Sequence, residues 1–276
     1  MNTRTILSTA LLLLTASLAV AQQAAMPPSA PASQNAAAPA AKKSPQPKTQ
    51  AEYNAFKAAS ALTDAEKLEA AANDFAQRFP ASELRGFLFQ IAMGQYQASN
   101  RADKALEMAR DVLKYDPNNP VALLSAGQIL AERTHDTDLD RDDRLAEATT
   151  DARSALAHAS DIPAPANMTP AQFAGAMAQL RGTAHEVIAT VHFKKGEYFD
   201  AVKEYNAAAG EEKDRTEAIV WLRLAVAHDK CNDLTSAMAA IDKAIAGSEP
   251  GSQVRQLAEQ EKAKLVKLST TVPNAK

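Results

Sequence analysis

Cysteine is nearly missing from this chain: Cys231 stands alone among 276 residues. One thiol excludes an internal disulfide, a CxxCH haem attachment and a thiolate zinc site. Glycine is scarce too, at 9 residues, and aromatics make up only 5%. The alternation of β-branched and polar residues that marks half-buried strands is almost absent. Neither sign of charge dominates. A formal net charge of −3 points neither to nucleic acid nor to an anionic membrane surface as partner. Beyond residue 20 no apolar run approaches the roughly 20 residues of a bilayer span.

The ends of the chain differ from its middle. Arg4 precedes a short apolar stretch from Ile6 to Val20, and Ala19-Val20-Ala21 offers a small-x-small cleavage site before Gln22. Residues 1–21 therefore read as a secretory signal peptide, too short and too interrupted by Ser and Thr for a membrane anchor. No Cys follows that could carry a lipid. The expectation is export, to the periplasm or out of the cell, with no membrane span after cleavage. Residues 22–50 are Ala, Pro, Gln, Ser and Lys with six prolines, a composition that cannot offset the entropy of ordering. They read as a disordered linker, 51–268 as the folded domain and 269–276 as a disordered tail.

From residue 51 the texture becomes Ala-rich with helical periodicity, cut by short polar turns. Start signals stand at Thr63 to Glu66 (capping-box spacing), at Asn100, and at Thr169-Pro170. Stop signals stand at Pro80, the 116–120 turn, Gly196 and Gly210. These cues predict helices over 51–60, 64–78, 82–98, 101–114, 120–132, 142–159, 170–195, 198–209, 215–230, 233–246 and 251–268. Connections of a few residues make neighbours antiparallel. Each helix is too short to stand alone, so the pairs must stack to bury their apolar faces.

The segment FLFQIAMGQYQASNRADKALEMARDVLKYDPNNP resembles one tetratricopeptide-repeat (TPR) unit. Phe89 and Tyr96 stand at large positions of the first helix, with Met93 and Gly94 near its close-packing point. Ala105, Ala109 and Val112 form the row of the second helix, and Pro117 closes the unit. Trp221, Leu224, Ala225 and His228 with Ala237, Ile241 and Ala244 resemble another. Ile188, Ala189, Ala201, Tyr205 and Ala208 resemble a third, and VALLSAGQILAE with Ala148, Ala152 and Ala155 a fourth. EYNAFKAASALTDAEKLEAAANDFAQRFP is a degenerate first repeat, and QVRQLAEQEKAKLVKL a polar closing helix. The spacing is irregular: Ala105 to Ala148 is 43 residues, Ala148 to Ala201 is 53, and Ala201 to Ala237 is 36. The excess falls in an Asp-rich turn near 134–143 and a long helix near 170–195. The resemblance implies an all-α superhelix of about five antiparallel pairs plus a closing helix.

Few constellations bear on chemistry. His185 and His192 suggest a zincin helix, but that motif needs His at i and i+4. At i and i+7 the rings stand about 10 Å apart along the axis, which makes them interface polar residues. The Asp-rich turn offers Asp136, Asp138, Asp140, Asp142 and Glu147, the last at the twelfth place of a calcium loop. Arg141 occupies the place where that loop requires Gly, so the turn reads either as a calcium site or as a solvated acidic turn favouring the next helix's N-terminus. Cys231 has no neighbouring base or second thiol. No catalytic grouping and no cofactor motif is visible, so the chain is expected not to be an enzyme.

What TPR resemblance implies for function is binding of a peptide or partner helix along the first helices of the repeats. These would present Gln90, Gln97, Leu124, Gln128, Glu186, Phe193, Leu222 and Val226. The set is mainly amide and apolar, and the Lys/Asn/Arg clamp for acidic tails is not evident. The expected role is a protein-binding scaffold in the cell envelope, its ligand held by apolar contacts and amide hydrogen bonds. A self-associating structural repeat protein and a calcium-linked sensor stand as alternatives.

Overall fold

The computed structural model describes residues 45–165, 167–213 and 216–271. The expected signal peptide, linker residues 22–44 and tail residues 272–276 lie outside them. The described residues form eleven α-helices and no strand. These are α1 Gln50–Ser60, α2 Ala65–Arg78, α3 Arg85–Ala98, α4 Ala102–Tyr115, α5 Pro120–Arg133, α6 Arg141–His158, α7 Pro170–Lys194, α8 Tyr198–Glu212, α9 Ala218–Lys230, α10 Leu234–Ala246 and α11 Gln253–Thr271. Consecutive helices pack as antiparallel pairs, α1 with α2 through α9 with α10, each pair stacks on the next, and α11 closes on α9 and α10. This is an all-α, TPR-like solenoid.

Local chemistry explains most of the boundaries. Asn119 caps α5 by accepting from the Ala122 amide at 3.0 Å, with Pro120 at the first helical position. Thr169 and Gln172 close a full capping box at α7, again followed by Pro. Three start and stop expectations need correction. The cap of α2 is Asp64, which accepts from the Lys67 amide at 3.0 Å, so the helix begins one residue after the Thr63 spacing suggests. Asn100 does not cap α4, whose N-cap is Arg101, but belongs to the turn that terminates α3. Gly210 does not stop α8, which runs on to Glu212; an exposed glycine weakens a helix without forcing an end.

The repeat is most visible in its turns. Asn100, Gly196 and Asn232 adopt φ of 57°, 77° and 59°, the left-handed region. In each, the following amide reaches back five residues to a carbonyl: Arg101 to Tyr96 at 2.9 Å, Glu197 to His192 at 2.9 Å and Asp233 to His228 at 3.0 Å. This is one Schellman-type stop used three times, filled by the residues that tolerate the conformation best. Five positions after each turn stand Ala105, Ala201 and Ala237, all fully buried. The α5–α6 connection lacks this turn because residues 134–140 are inserted there.

Small residues set the distance between paired helices. A methyl group built on Gly127 would lie 3.0 Å from the Ala148 carbonyl oxygen of α6, so α5 and α6 touch backbone to side there. Gly94, expected at this role in α3, has nothing within 4 Å; the buried residues of that helix include Leu88, Phe89, Ala92, Met93 and Tyr96. Gly127→Val is expected to destabilise by about 1–3 kcal/mol through overpacking against backbone. Gly94→Ala should be neutral or slightly stabilising. Paired urea denaturations test the contrast.

Helix α7 spans both halves of the core. Val187, Ile188 and Val191 join the cluster built on α1–α6, whereas Ala189 joins the one built on α8–α11. The closing helix buries Ala258 and Leu265 but leaves Leu257, Val266 and Leu268 exposed, so it is less polar on its outer side than expected.

Candidate functional site

Helices α3, α5, α7 and α9 are the first members of their pairs, and side chains link them in succession. Gln97 donates from Nε2 to the buried Ser125 Oγ at 2.7 Å, tying α3 to α5. Arg223 of α9 donates to Glu132 Oε1 of α5 at 2.8 Å and lies 3.7 Å from Glu186 Oε2 of α7. Gln128, Thr183 and Thr190 surround this ion triad, enclosing a space of about 10 Å³, room for one water. The triad is thus the point where three first helices meet, and 91 residues of chain separate its α5 and α9 members.

Burial governs its electrostatics. Desolvation pushes the Glu186 carboxyl up to about 8, against the pull of Arg223 and with help from Glu212, Glu217 and Glu132. Burial works against the Arg223 charge, yet Glu132, Tyr205 and Glu186 outweigh it and hold the guanidinium protonated. Raised this far, the Glu186 carboxyl favours its neutral form, which can donate a hydrogen bond, while Arg223 keeps its charge. Lys194 closes the end of α5 by donating to the Thr134 carbonyl at 2.6 Å and the Glu132 carbonyl at 3.2 Å; burial lowers its pKa.

Of the eight residues read from sequence, six keep part of their surface exposed. Gln90, Gln97, Gln128, Glu186, Phe193 and Val226 are all half-buried. Gln90 also accepts from Asn119 at 3.4 Å. Leu124 is 0% exposed and Leu222 6%, so these two belong to the core: with helices this closely stacked, a position one residue away from the inner stripe already faces a neighbour. Phe193 packs edge-on against Tyr198, ring centroids 5.3 Å apart. Charge stands among these residues as well: Glu132 and Arg223 lie beside Gln128 and Glu186. Arg223 is flanked by apolar residues on both sides in Trp221-Leu222-Arg223-Leu224-Ala225, and that isolation was the signal available to find it.

The Asp-rich turn does not have the geometry of a calcium loop. Helix α6 begins at Arg141, halfway through the twelve residues a calcium loop would need, so the later positions are helical and cannot wrap an ion. The carboxylates point to separate partners. Asp136 pairs with Arg141 at 3.3 Å, and Asp142 with the same guanidinium at 2.9 Å. Asp138 accepts from the His135 amide at 2.8 Å, Asp140 faces Arg144 at 3.9 Å, and Glu147 takes Arg110 through both oxygens at 2.9 and 3.1 Å. Beside this turn lies an open cleft of about 620 Å³ between Asp103, Arg133, His135, Leu139 and Arg144. His185 and His192 take different carboxylates, Glu204 at 2.7 Å and Glu197 at 2.6 Å.

No family model and no curated protein matches the chain. Solved structures do resemble it. PilW, described as a widely conserved type IV pilus biogenesis factor, superposes with a TM-score of 0.49 at 16% identity, over 83% of this chain and 96% of its own. TTC0263, a thermophilic TPR protein in Thermus thermophilus, gives 0.47 at 13% over 76% and 98%. The MamA protein gives 0.43 at 17% over 67% and 88%. By its own architecture, the chain is TPR-like. Partner and chemistry are not transferable at these identities and rest on the residues above.

Proposed function

We propose that this chain is a non-catalytic scaffold of the cell envelope that holds a peptide or partner helix along the face shared by α3, α5, α7 and α9. The observation that carries the reading is the row of half-buried side chains on those helices: the amides of Gln90, Gln97 and Gln128, the protonated Glu186, and the apolar Phe193 and Val226. Amide side chains and a neutral carboxyl offer donors and acceptors to a peptide backbone, and the apolar groups offer side-chain contact. The charges in the middle are already matched, Arg223 by Glu132, so they add no attraction for a strongly charged tail. Export rests on residues 1–21, and no helix among the described residues is long and apolar enough to cross a membrane.

The test is capture from an envelope fraction with the tagged chain, comparing wild type with Gln128→Arg. The expected result is a partner retained in about 0.5 M salt, where the Debye length falls below roughly 8 Å, and lost from the variant. Retention by the variant, or collapse of binding as salt rises, would overturn the reading. Growth of mass with concentration in the absence of partner, read by light scattering, would replace it with self-association through the exposed Leu257, Val266 and Leu268 of α11.

A further inference from the structure

We propose that His192, Glu197 and Asp200, at the turn between α7 and α8, form a binding site for a borderline divalent cation of the zinc type. One ligand atom from each of the three lies within 4.8 Å of the others, and they are the one group of three or more His, Cys, Asp or Glu residues among the described residues that meets this condition. The Schellman-type turn creates the geometry. It reverses the chain within three residues, so a histidine in the last turn of α7 faces the first turn of α8.

The repeat supplies an internal comparison. The turn between α9 and α10 carries the same pairing, His228 with Asp233, Nδ1 to Oδ2 at 3.2 Å. A histidine and an acid five residues apart are thus a clasp that this turn uses twice. At α10, however, Asp233 spends its carboxylate on capping by accepting from the Ser236 amide at 3.1 Å, and Ser236 stands where α8 has Asp200. At α8 neither condition holds. Glu197 is the N-cap residue but makes no side-chain cap hydrogen bond, and Asp200 adds a second carboxylate. The α7–α8 turn therefore has a full three-ligand set with its cap carboxylate uncommitted to the helix.

The donor set selects the metal. One imidazole nitrogen and two carboxylate oxygens suit zinc and its neighbours, whereas calcium and magnesium prefer oxygen alone. Two carboxylates together carry enough charge to outweigh the partial positive charge of the α8 N-terminus. Glu197 and Asp200 are exposed and His192 is half-buried, so an ion enters from solvent without any opening of the fold, and water completes its coordination.

The test uses the full chain, stripped with chelator and titrated with zinc chloride by calorimetry. One equivalent of zinc is expected, with no comparable heat from calcium chloride. Asp200→Ser, which copies the α9–α10 arrangement, and His192→Gln should each weaken binding by roughly tenfold or more. Both positions lie in the helical turns that flank the α7–α8 connection, and circular dichroism of the two variants verifies their fold. Absence of zinc binding by the wild type, an unchanged isotherm for Asp200→Ser, or an equal response to calcium would overturn the proposal.

Discussion

Replacing Arg223 with methionine is expected to lower the stability of the domain by about 3–5 kcal/mol, the cost of leaving the Glu132 carboxylate, only 18% exposed, without its partner. Methionine keeps much of the aliphatic stem, so the loss reports charge and hydrogen bonding and only a little packing. Burial favours the neutral form of Glu186, which tolerates the loss, whereas Glu132 is left with the Arg223 hydrogen bond at 2.8 Å broken. Adding Glu132→Gln in the same chain should restore more than half of the lost stability, since removing both charges is far cheaper than removing one. Urea denaturation of the single and double variants gives both numbers. A loss under about 1 kcal/mol would mean that solvent reaches the triad and that Arg223 behaves as a surface ion pair.

That triad also shows what a single chain of letters conveys and what it withholds. Helices and most of their ends were legible because they depend on neighbours in sequence: Thr169-Pro170 carries its cap with it. The repeat register was legible through Ala105, Ala148, Ala201 and Ala237, since a stack of helix pairs demands a small residue at every closest approach. The inner face was only partly legible. Gln97 and Gln128 fall on it by periodicity, but Leu124 and Leu222 do not, because one helical position spans about 100° and a neighbouring helix covers the next stripe. Arg223 meeting Glu132 across 91 residues depends on how three first helices converge, which no local pattern encodes. The Asp-rich turn misled for a related reason. Spacing of carboxylates suggests a wrapped loop, yet the helix that begins at Arg141 decides where they point.

The same convergence gives the domain a specific pH dependence. Glu186 sits at about 8 in the folded chain against an ordinary carboxyl value of 4.5. A raised carboxyl pKa means that the folded state holds the proton more tightly than the unfolded one. Its stabilising effect is complete below pH 4.5, declines as pH rises through the window from 4.5 to 8, and is gone above it. The slope within that window approaches about 1.4 kcal/mol per pH unit for one proton. Glu186→Gln keeps the shape and a donor but removes the titration. Its stability should match wild type near pH 4 and exceed it by on the order of a few kcal/mol at pH 9. Asp151, raised to about 7 by burial and by Glu147, titrates in an overlapping range, so the measurement that isolates Glu186 is the difference between the wild-type and Glu186→Gln profiles. Two parallel profiles would show that Glu186 is ionised at neutral pH and that Arg223 holds two carboxylates at once. The Arg223→Met variant would then lose more stability than Glu132→Gln alone can restore.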